Sequence, residues 1–279
     1  MIEKREIGID DLRFQVPSDW NSMSIGQLRF LAELLEVQRT SFEVCVMMLL
    51  YTIGANADFP EYSDGVTVIK IGSRRFPLTT DQVSDLAMTY EFLFDNCFVV
   101  HPHITSHLTN NPFPQIDCGS DRHLFGADYS MLSIPFGRYV WLQTYLSGVQ
   151  HDKDNFPKAL ACVWCHDPAL IEPSEDDVDI IRKLPAWQQL VMFWFICGSL
   201  ENIQDKFPRV FSSGGTAAAV GNVLDLQLRL LDSLAGGDMT KKDQVRSGKL
   251  IDALYAIDES LKKKEEYDKE IDRMKSKHG

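Results

Sequence analysis

The stretch Lys158-Ala-Leu-Ala-Cys-Val-Trp-Cys-His-Asp-Pro-Ala-Leu170 contains Cys162-Val163-Trp164-Cys165-His166, which matches the C-x-x-C-H attachment signature of a c-type haem letter for letter. Taken literally, it would make the chain a cytochrome. Its setting favours another reading. Phe156, Leu160, Val163 and Trp164 recur at helical spacing, and Cys162 and Cys165 fall among them as small, readily buried side chains. His166 suits the negative end of a helix and Pro168 stops it. Haem attachment also normally follows export, and the start MIEKREIGIDDLRFQV lacks the apolar core and small-residue cleavage site of a secretory signal. The stretch is therefore expected to be a core helix over 155–166 with its thiols inside. A zinc or redox use of the two cysteines is the alternative.

Working outward, the C-terminal half reads as helices near 135–149, 175–183, 185–206, 217–235 and 240–274. Pro185 stands at the first helical position, and Gly214-Gly215 and Gly236-Gly237 mark boundaries. The run LVMFWFICGSL (190–200) is too short to cross a bilayer and reads as a core helix. The N-terminal third is different. REIGI and LRFQV alternate apolar residues around Asp10-Asp11, and VTVIKI and RRFPL flank Gly72-Ser73, which predicts two β-hairpins. A helix follows each, opened by the capping boxes Ser24–Gln27 and Thr79–Gln82. SFEVCVMMLLYTI (41–53) is a further, well-buried helix.

The expected fold class is thus mainly α (α+β), a helical body with two small β-hairpins in the N-terminal third. The expected segments are 1–95, two hairpin-plus-helix units; 96–134, an irregular connection; 135–237, a helical domain; and 238–279, a charged amphipathic C-terminal helix.

The chain has 279 residues, 44% of them hydrophobic and 24% charged, and a net charge of −12. From Asp238 onward 11 basic residues face 10 acidic ones, leaving 17 against 30 in the body. An acidic body repels phosphate backbones, so nucleic acid is not an expected partner, nor is a membrane. Without an export signal the expected location is the cytoplasm of the producing cell, where the six cysteines would be reduced thiols.

Candidate chemistry is sparse. Cys97, His101, His103 and His107 in CFVVHPHITSH carry zinc-ligand chemistry, but Pro102 and the β-branched neighbours favour extended chain and the spacing fits no standard module. A metal-binding protein or enzyme centred there is the alternative to a non-enzymatic role. No G-x-S-x-G, P-loop or dinucleotide fingerprint occurs. SSGGTAAAVG (212–221) opens a helix without the strand and lysine a phosphate loop needs. EPSEDDVD (172–179) reads as a helix start favoured by the dipole. No catalytic residue, cofactor or metal is expected.

In the last helix Leu250, Leu254, Ile257 and Leu261 form one apolar stripe, and a charged run follows. Beyond it Tyr267, Ile271 and Met274 recur at i, i+4 and i+7, the spacing of helix-in-groove recognition, and are the expected partner-binding residues.

Several phrases carry a wider likeness: VPSDWNSMSIGQLRFLAELL (16–35), NNPFPQI (110–116), FGADYSMLSIPFGRYVWLQTYL (125–146), LPAWQQLVMFWFICGSLENIQDKFPRVFS (184–212) and LAGGDMTKKDQV (234–245). Together they resemble proteins of tail-gene clusters in phages and prophages of gut Bacteroidetes. CVWCH departs from that pattern, in which a plain helix is commoner. The resemblance implies a tail assembly chaperone or tail-associated structural protein. Its partners would be other phage assembly or structural proteins, or a second copy of itself, and its place the host cytoplasm or the virion. It brings no catalytic residues with it.

Overall fold

Chain entry is set by side-chain capping. Asp19, Ser24, Thr40 and Thr79 each sit in extended backbone and accept a hydrogen bond from the backbone N–H three residues on, and the residue there reaches back to the cap. Each such box satisfies donors that a helix start would leave open. The helices so opened include α1 (Ile25–Leu35), α2 (Ser41–Thr52) and α3 (Thr80–Ala87). The computed structural model describes residues 4–58, 65–94, 104–119, 122–212, 231–232, 234–236 and 238–278.

The fold is mainly α, with small antiparallel sheets, and the two N-terminal hairpins lie where alternation placed them. Strands β1 (Lys4–Ile9) and β2 (Leu12–Pro17) pair from Ile9↔Leu12 outward across Asp10-Asp11, and Asp10 takes a left-handed φ of 56°. Strands β4 (Val66–Ile71) and β5 (Arg74–Thr79) pair across Gly72, φ 61°, and β3 (Ala55–Asp58) adds a third strand beside β4. Arg74 reaches Asp11 with both terminal nitrogens, Nη1 to Oδ2 at 3.2 Å and Nη2 to Oδ1 at 2.5 Å, tying the second hairpin to the first.

A third sheet was not expected. β6 (Gln115–Asp117), β7 (His123–Gly126) and β8 (Trp164–Cys165) form it, inside what the sequence presents as an irregular connection and a helix. Helix α4 (Phe136–Gly148) follows, then α5 (Asn155–Ala161), α6 (Glu175–Arg182), α7 (Ala186–Lys206) and α8 (Pro208–Ser212). Pro185 is the cap before α7 and not its first residue.

The expected helix over 240–274 is broken. α9 (Lys242–Ser247) ends at Gly248, whose backbone is extended, and α10 (Leu250–His278) begins anew. The break lets extended chain pair with the entry to α4: Phe136 N–H donates to Gly248 C=O and Leu250 N–H to Ile134 C=O, each 2.8 Å. Two backbone bonds to a neighbour replace the helical ones given up. The expected helix 217–235 lies mostly outside the described residues.

The compact units are discontinuous in sequence. Unit 1 comprises residues 1–108 and 186–198, and unit 2 residues 109–185 and 199–279, so the 135–237 segment contributes to both. Unit 1 centres on Trp20, Leu28, Leu31, Met48, Leu49 and Tyr90, all 1% exposed or less. Trp194 meets Trp20 edge to face, with ring centroids 5.4 Å apart. Unit 2 centres on Leu124, Phe136, Leu142, Leu160 and Trp164.

Candidate functional site

The C-x-x-C-H run is the polar centre of unit 2, and its geometry corrects the helix expected over 155–166. α5 stops at Ala161, Cys162 caps it, and Trp164–Cys165 turn out into β8 beside β7. Trp164 explains the turn. Its indole N–H donates to Phe113 C=O at 2.8 Å, satisfying a donor that would otherwise be buried unpaired. Gly126 stands opposite, where a Cβ would collide with the Trp164 indole and the Phe113 carbonyl.

The expectation that both thiols are inside is correct: Cys162 is 0% and Cys165 2% exposed. Burial pushes the Cys162 thiol well above its ordinary range. Burial raises Cys165 too, and Arg138 pulls against it. Both remain neutral thiols at physiological pH, and neither is an activated nucleophile.

Arg138, projecting from α4, is the residue that sequence reasoning missed. Its side chain is 2% exposed, yet it meets no carboxylate among the described residues. Nη1 donates to Cys165 Sγ at 2.6 Å, and Nη2 to Asp167 C=O at 3.0 Å and to Leu170 C=O. Nε has no partner among the described residues. The planar fork suits this work, gathering the turn after β8 onto α4. A signal existed: Arg138 and Leu142 stand one turn apart on α4, so a charge occupied a core position.

His166 points the other way, to α6. Asp177 Oδ1 lies 2.8 Å from His166 Nδ1 and accepts from the His166 backbone N–H at 3.2 Å. The carboxylate is 1% exposed and the imidazole 52%. Asp177 N–H in turn donates to Ser174 Oγ, the cap of α6. The first turn of α6 carries Glu175, Asp176 and Asp177, as its acidic composition suggested. A buried carboxylate orienting a half-exposed imidazole is the geometry of a general base. Among the described residues, however, no hydroxyl or thiol stands within hydrogen-bond reach of the other ring nitrogen. The pair clasps β8 to α6.

Of the proposed zinc ligands, Cys97, His101 and His103 lie outside the described residues. His107 is described, and its backbone C=O accepts from Asn21 Nδ2 at 3.3 Å. Among the described residues no three His, Cys, Asp or Glu side chains are placed to share a metal ion. Residues 213–221 of the glycine-bearing segment also lie outside.

The expected partner-binding residues stand on α10, which is about 44 Å long at 1.5 Å per residue. Its first turns are anchored by Leu250, Ala253, Leu254 and Ile257, all buried, and by the Arg209–Asp258 pair at 3.1 Å. Residues 262–270 and 272–276 are exposed. Tyr267 and Met274 are 64% and 53% exposed, with Ile271 half-buried between them. No helix among the described residues is long and apolar enough to cross a membrane. Comparison of the chain with models of known protein families, with curated proteins and with solved structures gave no match.

Proposed function

We propose that the chain is a non-enzymatic assembly or structural protein of phage type, acting through protein–protein contacts, with tail assembly as its setting. The observation that carries the reading is the outer half of α10, a helix that continues past its own anchorage and exposes Tyr267 and Met274 on either side of Ile271. A helical segment of this length is marginal in water by itself, and a partner groove would stabilise it. The partner is another assembly protein or a second copy, and the site of action the host cytoplasm or the finished particle. The likeness of the phrases at 16–35, 125–146 and 184–212 to tail-cluster proteins supports the setting. The buried thiols and the clasped His166 support a structural use of the polar centre.

Deleting residues 265–279 tests this. The truncated chain should melt within a degree or two of the intact one while losing capture of its neighbours' products or of a second copy. Mass spectrometry of purified particles then separates a chaperone, absent from them, from a structural component. A truncation that binds every partner as well as the intact chain would overturn the role given to α10.

A further inference from the structure

The outer half of α10 follows a seven-residue pattern. With Ile257 and Ile271 at a, Tyr267 falls at d, and Met274 at the next d. The structure turns this seam away from the body. Glu265 Oε2 lies 3.6 Å from Arg209 Nε, so that side of the helix faces α8. At about 100° per residue Tyr267 stands about 200° further round the helix and Ile271 about 240°, so both face outward.

Charge decides what can cover the seam. Positions e and g flank it, and in a parallel pair each g residue meets the e residue five further on in the other helix. Here those couples are Lys263 with Asp268 and Glu270 with Lys275, opposite in sign both times and doubled by symmetry. An antiparallel pair with the same overlap would set Glu270 against Glu270 and Asp268 against Asp268. All four side chains are exposed. Among the described residues the ion pairs of α10 are those of Asp258 and Glu265 with Arg209, so the four are left to a second helix.

We propose that the outer half of α10 pairs in parallel with the same segment of a second copy of this chain. The result is a short two-stranded coiled coil, closed by Tyr267 and Ile271 and keyed by the Lys263–Asp268 and Glu270–Lys275 couples. The inference rests on the reading of α10 as the partner-binding element and names its occupant. The inner turns, anchored on the body, already supply the helical nucleus, so association does not have to start the helix. Lys264, at the a position between Ile257 and Ile271, costs stability and restricts the register, so the pair is weak and reversible.

The test is a charge exchange in the full chain, read by sedimentation equilibrium from micromolar to sub-millimolar protein. The intact chain should show a monomer–dimer equilibrium that deletion of residues 265–279 abolishes. Glu270→Lys alone sets lysine against lysine, and Lys275→Glu alone sets glutamate against glutamate. Each should weaken self-association roughly tenfold, with melting unchanged because both positions are exposed. Mixing the two variants rejoins opposite charges at every Glu270–Lys275 couple and should restore the dimer as a heterodimer, which an antiparallel pair would not do. A dimer indifferent to either substitution, one that survives the deletion, or a mixture that stays monomeric would overturn the proposal. An intact chain that is monomeric throughout, yet captures an assembly neighbour through residues 265–279, would overturn self-pairing and leave the reading of α10 standing.

Discussion

Arg138 Nη1 lies 2.6 Å from Cys165 Sγ, joining α4 to β8 through a charged donor and a neutral thiol, both all but sealed from water. A buried guanidinium with no carboxylate among the described residues is stable only while its N–H groups find acceptors, and here a sulfur and two carbonyls serve the two terminal nitrogens.

Replacing that fork should be costly. Arg138→Leu leaves the Asp167 and Leu170 carbonyls without this donor and is expected to destabilise the chain by about 2–4 kcal/mol, seen as a lower urea midpoint. Arg138→Lys should recover only a fraction, because one ammonium cannot span acceptors set in a planar fork. An Arg138→Leu chain unfolding at the wild-type midpoint would show that the network carries no weight.

The Asp177 clasp makes a second expectation. His166→Ala strands a carboxylate that is 1% exposed and should cost about 2 kcal/mol, whereas Asp177→Ala leaves a half-exposed imidazole that water can satisfy and should cost less. Thermal unfolding of both variants distinguishes them, and equal losses would contradict the assignment of Asp177 as the buried anchor.

Thiol reactivity separates the cysteines. At neutral pH, alkylation followed by peptide mapping should modify Cys118 well before Cys45, Cys162 and Cys165, which are 2% exposed or less. In denaturant the four should react alike. Rapid modification of Cys162 in the native chain would show that β8 opens readily.

Along α10 the effect of truncation should change abruptly. Leu254→Ala, in the buried part, should cost about 2–4 kcal/mol, and Tyr267→Ala, in the exposed part, within about 0.5 kcal/mol. Calorimetry on the two variants checks this, and a costly Tyr267→Ala would mean the outer helix is packed.

The Asp11–Arg74 pair sets a pH expectation. The Arg74 guanidinium holds the Asp11 carboxyl below its ordinary 3.8. A lowered carboxylate stabilises the fold above its unfolded value and loses that contribution as pH falls through the folded one. A double-mutant cycle of Asp11→Asn with Arg74→Ala should therefore give a small coupling that is constant near neutrality. It should fade only below about pH 4 and shrink with added salt. Coupling unaffected by either would not be electrostatic.

What the sequence shows depends on how far apart the partners lie. Ser24–Gln27 and Thr79–Gln82 are three residues apart, so their helix starts could be read directly, as could the hairpins at Asp10-Asp11 and Gly72-Ser73. The short strands β6, β7 and β8 are too brief to show a period, and β8 exists because Trp164 finds Phe113 C=O far back in the chain. The break at Gly248 likewise rests on Ile134 and Phe136. Cys162 and Cys165 were legible as buried residues, but Arg138 and Asp177, which organise the surroundings of the run, were not. Each is a charge on an otherwise apolar helical face, and only the fold supplies the partner.

The discontinuity of unit 1 has a consequence for how the protein is made. Its segment 186–198 supplies Trp194, which covers Trp20, so the ribosome delivers the first 108 residues long before the piece that completes them. During that interval Trp20 has no indole to meet, and the nascent chain carries an uncovered apolar surface. A fragment ending at residue 108 inherits the same gap permanently, and supplying residues 186–198 as a separate peptide is the way to close it.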